Sequence, residues 1–473
     1  IYCYYMKKCF LLVFLLICMA INAQQKLPII KLSGDFGYEY QDGIVSIIYP
    51  DGSSQDSLTA RIKWRGGTTN ADDKHKRNYK IKFTDDHRFF GLRNDDSWIL
   101  DAGQADVYRL RNLIATELWN DFATKPYYID KEPEALSGIR GKVVEVYLND
   151  EYRGIYSFTE NMDRKQMKLK KFDKDGTIRG ILWKSKGYNS SLMNIVPETY
   201  NNKEPMMDVF EAKYPDLEDL DSTDYHTLWN AINFVVNSSD IEFENHIHDY
   251  FDIPVVIDYY LFVVLLNAID NEGKNMYWAV YDQTKNKMIT PAVWDLDISM
   301  GARSAEKYNK DYSSPEYDTG DVIYLITRLK QLNVDHFNDK VFSRYDELRK
   351  TVFSEDSLQK RYQYYYNLLK ATGAAEREKE KWSMDSDIDG AIIDFDSEIA
   401  YIKNWITHRI KYLDEQKFYY HNSLINTYIE QKNSEGAIYN LQGQKMPKNQ
   451  KLPKGIYIYK NLSTTIKYVG DSW

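Results

Sequence analysis

The sequence predicts an α+β protein: a β-rich first part, a helical second part and a small β module at the end. Period-two apolar alternation recurs from Lys26 to about Phe83 and again up to Gly187. Helical spacing takes over from Pro205 to about Leu266 and returns after Gly301. A short strand–turn–strand pattern closes the chain between Gly436 and Asn461.

The elements follow in order. Ile44–Pro50, Leu58–Trp64 and Tyr79–Phe83 alternate as strands, with a polar glycine-containing loop, Arg65–Asn78, between the last two. Tyr108–Phe122 reads as a helix through Leu110, Leu113, Ile114 and Leu118. Gly141–Glu160 is a hairpin turning at Asn149-Asp150, and Gly180–Gly187 is another strand. An apolar helix follows Asp252, its N-cap, with Pro254 in the first turn. A further hairpin lies within Leu265–Gly301. Ser383–Lys417 is expected to be one long helix with Ile388, Ile392, Phe395, Ile399, Ile402 and Ile406 on its apolar face. The expected organisation is a leader over 1–23, one main domain over 26–430 and a β module over 436–473.

Composition excludes several classes. The 473 residues are 43% hydrophobic and 28% charged, a globular balance. A net charge of −9 argues against general nucleic-acid binding. The start reads as an export signal: Met6-Lys7-Lys8, the apolar run Cys9–Ala20, then a cleavage site at Ile21-Asn22-Ala23. That run is short for a membrane-spanning helix, and no second long apolar segment follows, so no integral membrane segment is expected. All three cysteines, Cys3, Cys9 and Cys18, fall in this leader, which removes disulfides, thiolate metal sites and cysteine catalysis from a processed chain. The 40 tyrosines suit flat ligands as well as a core.

The strongest chemical signal is the acidic hairpin. It sets Asp270 and Asn275 on one side and Asp295 and Asp297 on the other. An acid five residues before an asparagine, then a strand ending in acids and glycine, is how protein kinases place a catalytic base and hold Mg²⁺. A carboxylate cluster calls for a cation, and Mg²⁺ takes hard oxygen ligands. Each aspartate by itself also serves as a turn or helix cap. If the strand continues past Trp294, Asp295 and Asp297 share one face. The second signal is the loop from Arg65 with Lys80 on the returning strand, a shape that lays N–H groups over phosphates, or else an ordinary turn. The third is Glu160, placed to orient Lys80 or Lys184, or else a surface ion pair. Tyr147, Tyr152, Tyr156 and Phe158 suit either adenine stacking or the core.

RIKWRGG, NYKIKF, SWILDAGQADVYRLRN, VEVYLNDEYRGIYSFTENMD, LWKSKG, D-x4-N and WDLDISMG occur in that order between about Leu58 and Gly301. In that order they resemble the CotH kinase family. The resemblance implies an atypical protein-kinase-like two-lobe fold, with a β-rich nucleotide lobe and a helical lobe. It implies ATP, Mg²⁺ or Mn²⁺, and phosphate transfer to serine or threonine of a protein. Carried over, Asp270 is the catalytic acid, and Asp297 is the metal ligand, with Asp295 and Asn275 as close candidates. Lys80 and Lys184 are candidates for phosphate contact, the choice between them open, and Arg65 sits in the phosphate-covering loop. The departures are Gly66-Gly67-Thr68-Thr69 and the charges after them. IYNLQGQKM and LPKGIYIYK resemble type IX (Por) secretion sorting domains of Bacteroidetes-type proteins, which implies a secretion machinery as partner and a surface or extracellular destination. Two rival readings stand beside the kinase: a non-catalytic surface scaffold or glycan-binding protein, and a carbohydrate-active enzyme using the same carboxylates.

Overall fold

The computed structural model describes residues 25–67, 69, 71, 74–187, 189–197, 210–215, 220, 224–302, 322–383, 392–418, 437–440, 443–446, 455–460 and 465–470. The expected leader lies outside the described residues. The chain divides into two compact units, 1–409 and 410–473.

Seven strands close into a barrel: β1 (Ile29–Ser33), β2 (Gln41–Ile48), β3 (Ser54–Arg65), β4 (Asn78–Arg88), β5 (Asn94–Asp101), β6 (Gly141–Leu148) and β7 (Glu151–Thr159). Their order is β1-β2-β3-β4-β5-β7-β6. Closure comes from β1, which pairs antiparallel with β2 and parallel with β6, Ile30 opposite Val146. A closed barrel leaves no unpaired edge. Alternation sends Ile30, Val45, Ile62, Ile81, Trp98 and Phe158 inward to one core. On β4 the same alternation turns Lys80 and Lys82 outward from Tyr79, Ile81 and Phe83. The β6–β7 turn is at Asn149-Asp150 as expected, both residues at positive φ (51° and 63°), where Asn and Asp are tolerated best.

A second sheet takes the order β11-β10-β8-β9, built from β8 (Ile181–Ser185), β9 (Phe210–Tyr214), β10 (Met276–Val280) and β11 (Thr290–Val293). β10 and β11 form the expected hairpin, Tyr277 opposite Ala292. β9 corrects the reading of the stretch after Pro205 as helical; Phe210 and Tyr214 are buried, and Glu211 stands opposite Lys184 in the β8–β9 ladder. Leu182, Tyr214, Tyr277, Ala279, Ala292 and Trp294 share a core with Ile99 of β5. The sheet therefore lies against the outer wall of the barrel.

The helices of the first unit are α1 (Arg111–Phe122), α2 (Arg164–Met167), α3 (His226–Asn237), α4 (Asp240–Tyr250), α5 (Ile253–Leu266), α6 (Tyr324–Leu332), α7 (Phe337–Arg349), α8 (Glu355–Ala371), α9 (Ala374–Trp382) and most of α10 (Phe395–Tyr412). Helix α5 is apolar all round, and 13 of its 14 residues are buried. Asp252 is its N-cap residue, but its carboxylate accepts from Tyr127 N (2.9 Å) and Thr290 Oγ1 (3.1 Å), fastening the helix to the second sheet. Among the described residues no helix is long and apolar enough to cross a membrane. The expected Ser383–Lys417 helix is shorter: it starts at Phe395 and ends in a π-helical turn, Leu413–Lys417. Ile392, assigned to its apolar face, is exposed, while Ile399, Ile402 and Ile406 are buried; Ile388 lies outside the described residues. In the second unit the tail has three antiparallel strands, β12 (Ala437–Asn440), β13 (Gly455–Lys460) and β14 (Thr465–Gly470), one more than the sequence pattern indicated.

Candidate active site

The α5 helix ends at Asn267 in the left-handed conformation, and a 3₁₀ turn, Ile269–Asn271, carries Asp270. Asp270 is buried and ion-paired to Lys274 at 2.8 Å. Asn275 enters β10 at φ +57°, and Asp295 leaves β11 at φ +59°. Asn and Asp accept this left-handed region better than other residues with a Cβ. The strand does not continue past Trp294, so Asp295 and Asp297 come together on a loop and not by strand alternation.

Two asparagines fix this loop. Asn271 Nδ2 donates to Trp294 O (2.8 Å), and Tyr259 on α5 donates to Asn271 O (2.6 Å). Asn112 on α1 accepts from Leu296 N (3.0 Å) and donates to Asp101 Oδ2 (2.7 Å). The loop then closes on itself: Ser299 Oγ donates to Leu296 O (2.6 Å), and Met300 N to Leu266 O (2.8 Å). Gly301 follows at φ +72°; a Cβ there would lie 2.6 Å from Trp405 Cδ1, so this position admits only glycine without movement of a buried tryptophan.

Electrostatics joins residues that sequence keeps apart. Burial raises the Asp295 carboxyl above the ordinary range; Asp101 and Asp270 add to that, while Lys184 and Arg65 oppose it. Asp297 is pushed well above the ordinary range by burial and then by Asp295, Asp101, Asp106 and Asp270. The cluster has an excess of negative charge, and its donors are all oxygen, which fits a hard divalent cation. These carboxylates do not close to a triad with oxygens all within 4.8 Å; among the described residues only Asp86, Asp95 and Asp96 do so. An open cluster suits a cation that brings phosphate and water ligands of its own.

Cations stand opposite. Burial lowers the Lys80 ammonium, and Arg65, Lys213 and Lys63 lower it further. Burial likewise lowers Lys184, with Lys213 and Arg65 adding to it and Asp295 resisting. Lys80 comes from the outer wall of the barrel and Lys184 from the facing sheet, opposite Tyr277. Arg65, at the end of β3, sets its guanidinium 4.9 Å from the Trp294 ring centre. Among the described residues neither lysine has an ion-pair partner, and no hydrogen bond engages the Asp295 carboxylate. The site thus sets Lys184 and Arg65 in electrostatic reach of Asp295, with Lys80 beside Arg65, and compensates their charges only in part.

A family model described as CotH kinase protein matches residues 62–413. The chain belongs to the CotH kinase protein family. No curated protein matches the sequence. The family match includes the barrel from β3 onward, the second sheet and the acidic hairpin, and the β tail falls outside it.

Within this CotH chain several expected residues take other places. Glu160 does not reach Lys80 or Lys184. It is fully buried, and its carboxylate accepts from Arg93 N (2.8 Å), Arg140 N (3.0 Å), Arg140 Nη2 (2.7 Å) and Gln166 Nε2 (3.0 Å). Its lone pairs are used in holding the end of β7, so it is a structural residue. Tyr156 and Phe158 lie in the barrel core and are closed to a nucleobase. The described part of the Arg65–Asn78 loop is stapled down: Lys76 donates to Ala102 O (2.8 Å) and Ile155 O (2.6 Å), and pairs with Glu378 at 3.0 Å. Asp101, Asn112, Asn271 and Lys213 are the members that sequence reasoning missed. Asp101 and Asn112 stood in SWILDAGQADVYRLRN, whose two flanking arginines are also bound: Arg109 to Glu378 (2.7 Å), Arg111 to Asp106 and to Glu398 (2.7 Å).

Proposed function

We propose that this chain is an atypical protein kinase that passes the γ-phosphate of ATP to a serine or threonine hydroxyl of a protein. The observation that carries the reading is a basic group, Lys184 and Arg65 with Lys80 beside Arg65, set against an acidic loop, Asp295 and Asp297, with no direct ion pair closed between Lys184 and Asp295. A polyphosphate with its cation satisfies both at once, because phosphate oxygens take the basic groups and the cation takes the carboxylates. A sugar supplies neither charge, which sets the kinase reading ahead of a carbohydrate-active enzyme.

In this reading Asp297, Asp295 and Asn275 would hold Mg²⁺ or Mn²⁺, with Asp101 supporting their loop through Asn112. The cation would shield the phosphates and stabilise charge as it builds on them. Lys80 and Lys184 bind phosphate oxygens. Arg65, held on Trp294, adds a third positive group at the mouth of the loop. Asp270 orients the acceptor hydroxyl and receives its proton, and the 2.8 Å pair with Lys274 aims that carboxylate. The leader pattern and the sorting-type tail support an exported destination, at the surface or outside the cell, reached through a secretion machinery.

The test is transfer from γ-labelled ATP by the full chain with Mg²⁺ or Mn²⁺, beside Asp270→Ala and Asp297→Ala. Autophosphorylation lost in both variants is the expected result. No transfer together with no cation-dependent ATP binding sinks the reading and puts the scaffold in its place.

A further inference from the structure

On the other side of Asp163 from Lys80 lies a cleft of about 540 Å³ that the proposed chemistry does not use. Arg88, Arg93, Arg140, Arg164, Lys165 and Lys168 line it, against a single carboxylate, Glu134. This is a concentrated positive wall on a chain whose net charge is −9.

The wall is built rather than incidental. Its acids stand behind it. Glu160, fully buried, holds Arg140, and Asp95, 1% exposed, holds Arg93 and Lys165. Asp163 takes Arg93 in a two-pronged pair. These contacts fix the basic heads in place while their remaining donors line the cleft. Arg88 and Arg164 have no carboxylate partner among the described residues. Each is tethered by one N–H to a backbone carbonyl, Arg88 to Leu92 O (3.2 Å) and Arg164 to Leu169 O (3.1 Å). A guanidinium has five N–H donors in a planar fork, so both keep most of theirs for a ligand. Among the described residues Lys168 pairs only with Glu134, whose side chain is 83% exposed and easily displaced.

We infer that this cleft docks an acidic segment of a protein, its Asp and Glu carboxylates taken by Arg88, Arg164 and Lys168. At about 540 Å³ the cleft is much larger than one phosphate ion requires, and six basic groups line it, which suits a run of carboxylates. Asp163 links it to the active site: it pairs with Arg93 on the cleft side, and its charge supports the Lys80 ammonium on the other. Docking there would hold a protein acceptor beside the phosphate site. That purpose rests on the kinase reading; the binding does not.

The experiment measures binding of a fluorescent oligoglutamate peptide to the full chain without nucleotide, by anisotropy. A glutamine peptide of the same length is the neutral control. The expected result is binding of the glutamate peptide alone, weakened by about tenfold or more when Arg88→Gln, Arg164→Gln and Lys168→Gln are combined. Asp270→Asn binds as the parent does, so loss of phosphate transfer and loss of docking are separate readouts. Should the triple variant fold poorly, the parent decides: affinity must fall steeply between about 50 and about 300 mM NaCl. Undiminished binding by a folded triple variant, or salt-independent binding, overturns the proposal. Displacement of the peptide by inorganic phosphate, but not by chloride at equal ionic strength, also overturns it and reassigns the cleft to a phosphate group.

Discussion

Asn271 Nδ2 donates to the Trp294 carbonyl at 2.8 Å, and this bond ties the Asp270 turn to the loop that carries Asp295 and Asp297. The two acidic arms are 25 residues apart in sequence, counted from Asp270 to Asp295. The β10–β11 pairing brings them near, and Asn271 sets their final spacing. Replacing it with alanine leaves the buried Trp294 carbonyl without its donor. Asn271→Ala should lower stability by about 1–3 kcal/mol, measured by denaturant unfolding. It should also weaken cation-dependent ATP binding although Asn271 is not itself an expected ligand.

Asp270 and Asp297 should fail in different ways. Asp270→Asn should abolish transfer while ATP binding with Mg²⁺ stays near the parent value, because Asp270 is assigned to the acceptor. Asp297→Asn should reduce both, and its ATP binding should lose its dependence on added cation. Isothermal titration with and without Mg²⁺, beside a transfer assay, separates the two. Equal loss of binding in both would remove the distinction drawn between base and metal ligand.

Glu160 was expected at the cofactor and is found inside the structure. Removing it strands Arg140 and the backbone N–H groups of Arg93 and Arg140. Glu160→Ala should cost about 1–3 kcal/mol of stability, because buried backbone N–H groups lose their acceptor while the half-exposed Arg140 head can turn to water. Molecules that remain folded should bind ATP as the parent does. A selective loss of ATP affinity at unchanged stability would return Glu160 to the site.

Lys76 gives the protein a pH dependence. Burial pushes its ammonium down to about 7, with Glu378 opposing the shift. In the unfolded chain the same lysine keeps its proton up to about 10.4. Between these values the unfolded state binds more protons, so stability should rise with pH, by at most roughly 1.4 kcal/mol per pH unit from this one group. Lys76→Met should flatten that slope in denaturant titrations between about pH 7 and pH 10. An unchanged slope would mean that Lys76 stays charged against Glu378.

Gly301→Ala should destabilise by about 1–3 kcal/mol, combining a positive φ with a methyl group pressed on Trp405. The loop that carries Asp295 and Asp297 ends one residue earlier, so transfer activity should fall with it. An alanine variant as stable as the parent would show that Trp405 can yield.

The local elements and the chemistry they carry were legible in the order of the residues. Alternation marked β2, β3, β4, β6 and β7, because one face of each strand fills the barrel. Asn149-Asp150 marked the hairpin turn, and continuous apolarity marked α5. The D-x4-N spacing and the WDLDISMG run put Asp270, Asn275, Asp295 and Asp297 in one window of the chain. Contacts between residues far apart in the chain were set by packing. Barrel closure rests on β1 meeting β6 across more than a hundred residues, and no local pattern encodes a parallel pairing of that kind. Asp101 and Asn112 reach the acidic loop because α1 packs under it. Glu160 turned away from Lys80 and Lys184 because Arg140 and Gln166 were nearer. A charged side chain advertises its chemistry in the sequence, but burial and the nearest opposite charge choose its partner, and both are properties of the packed chain.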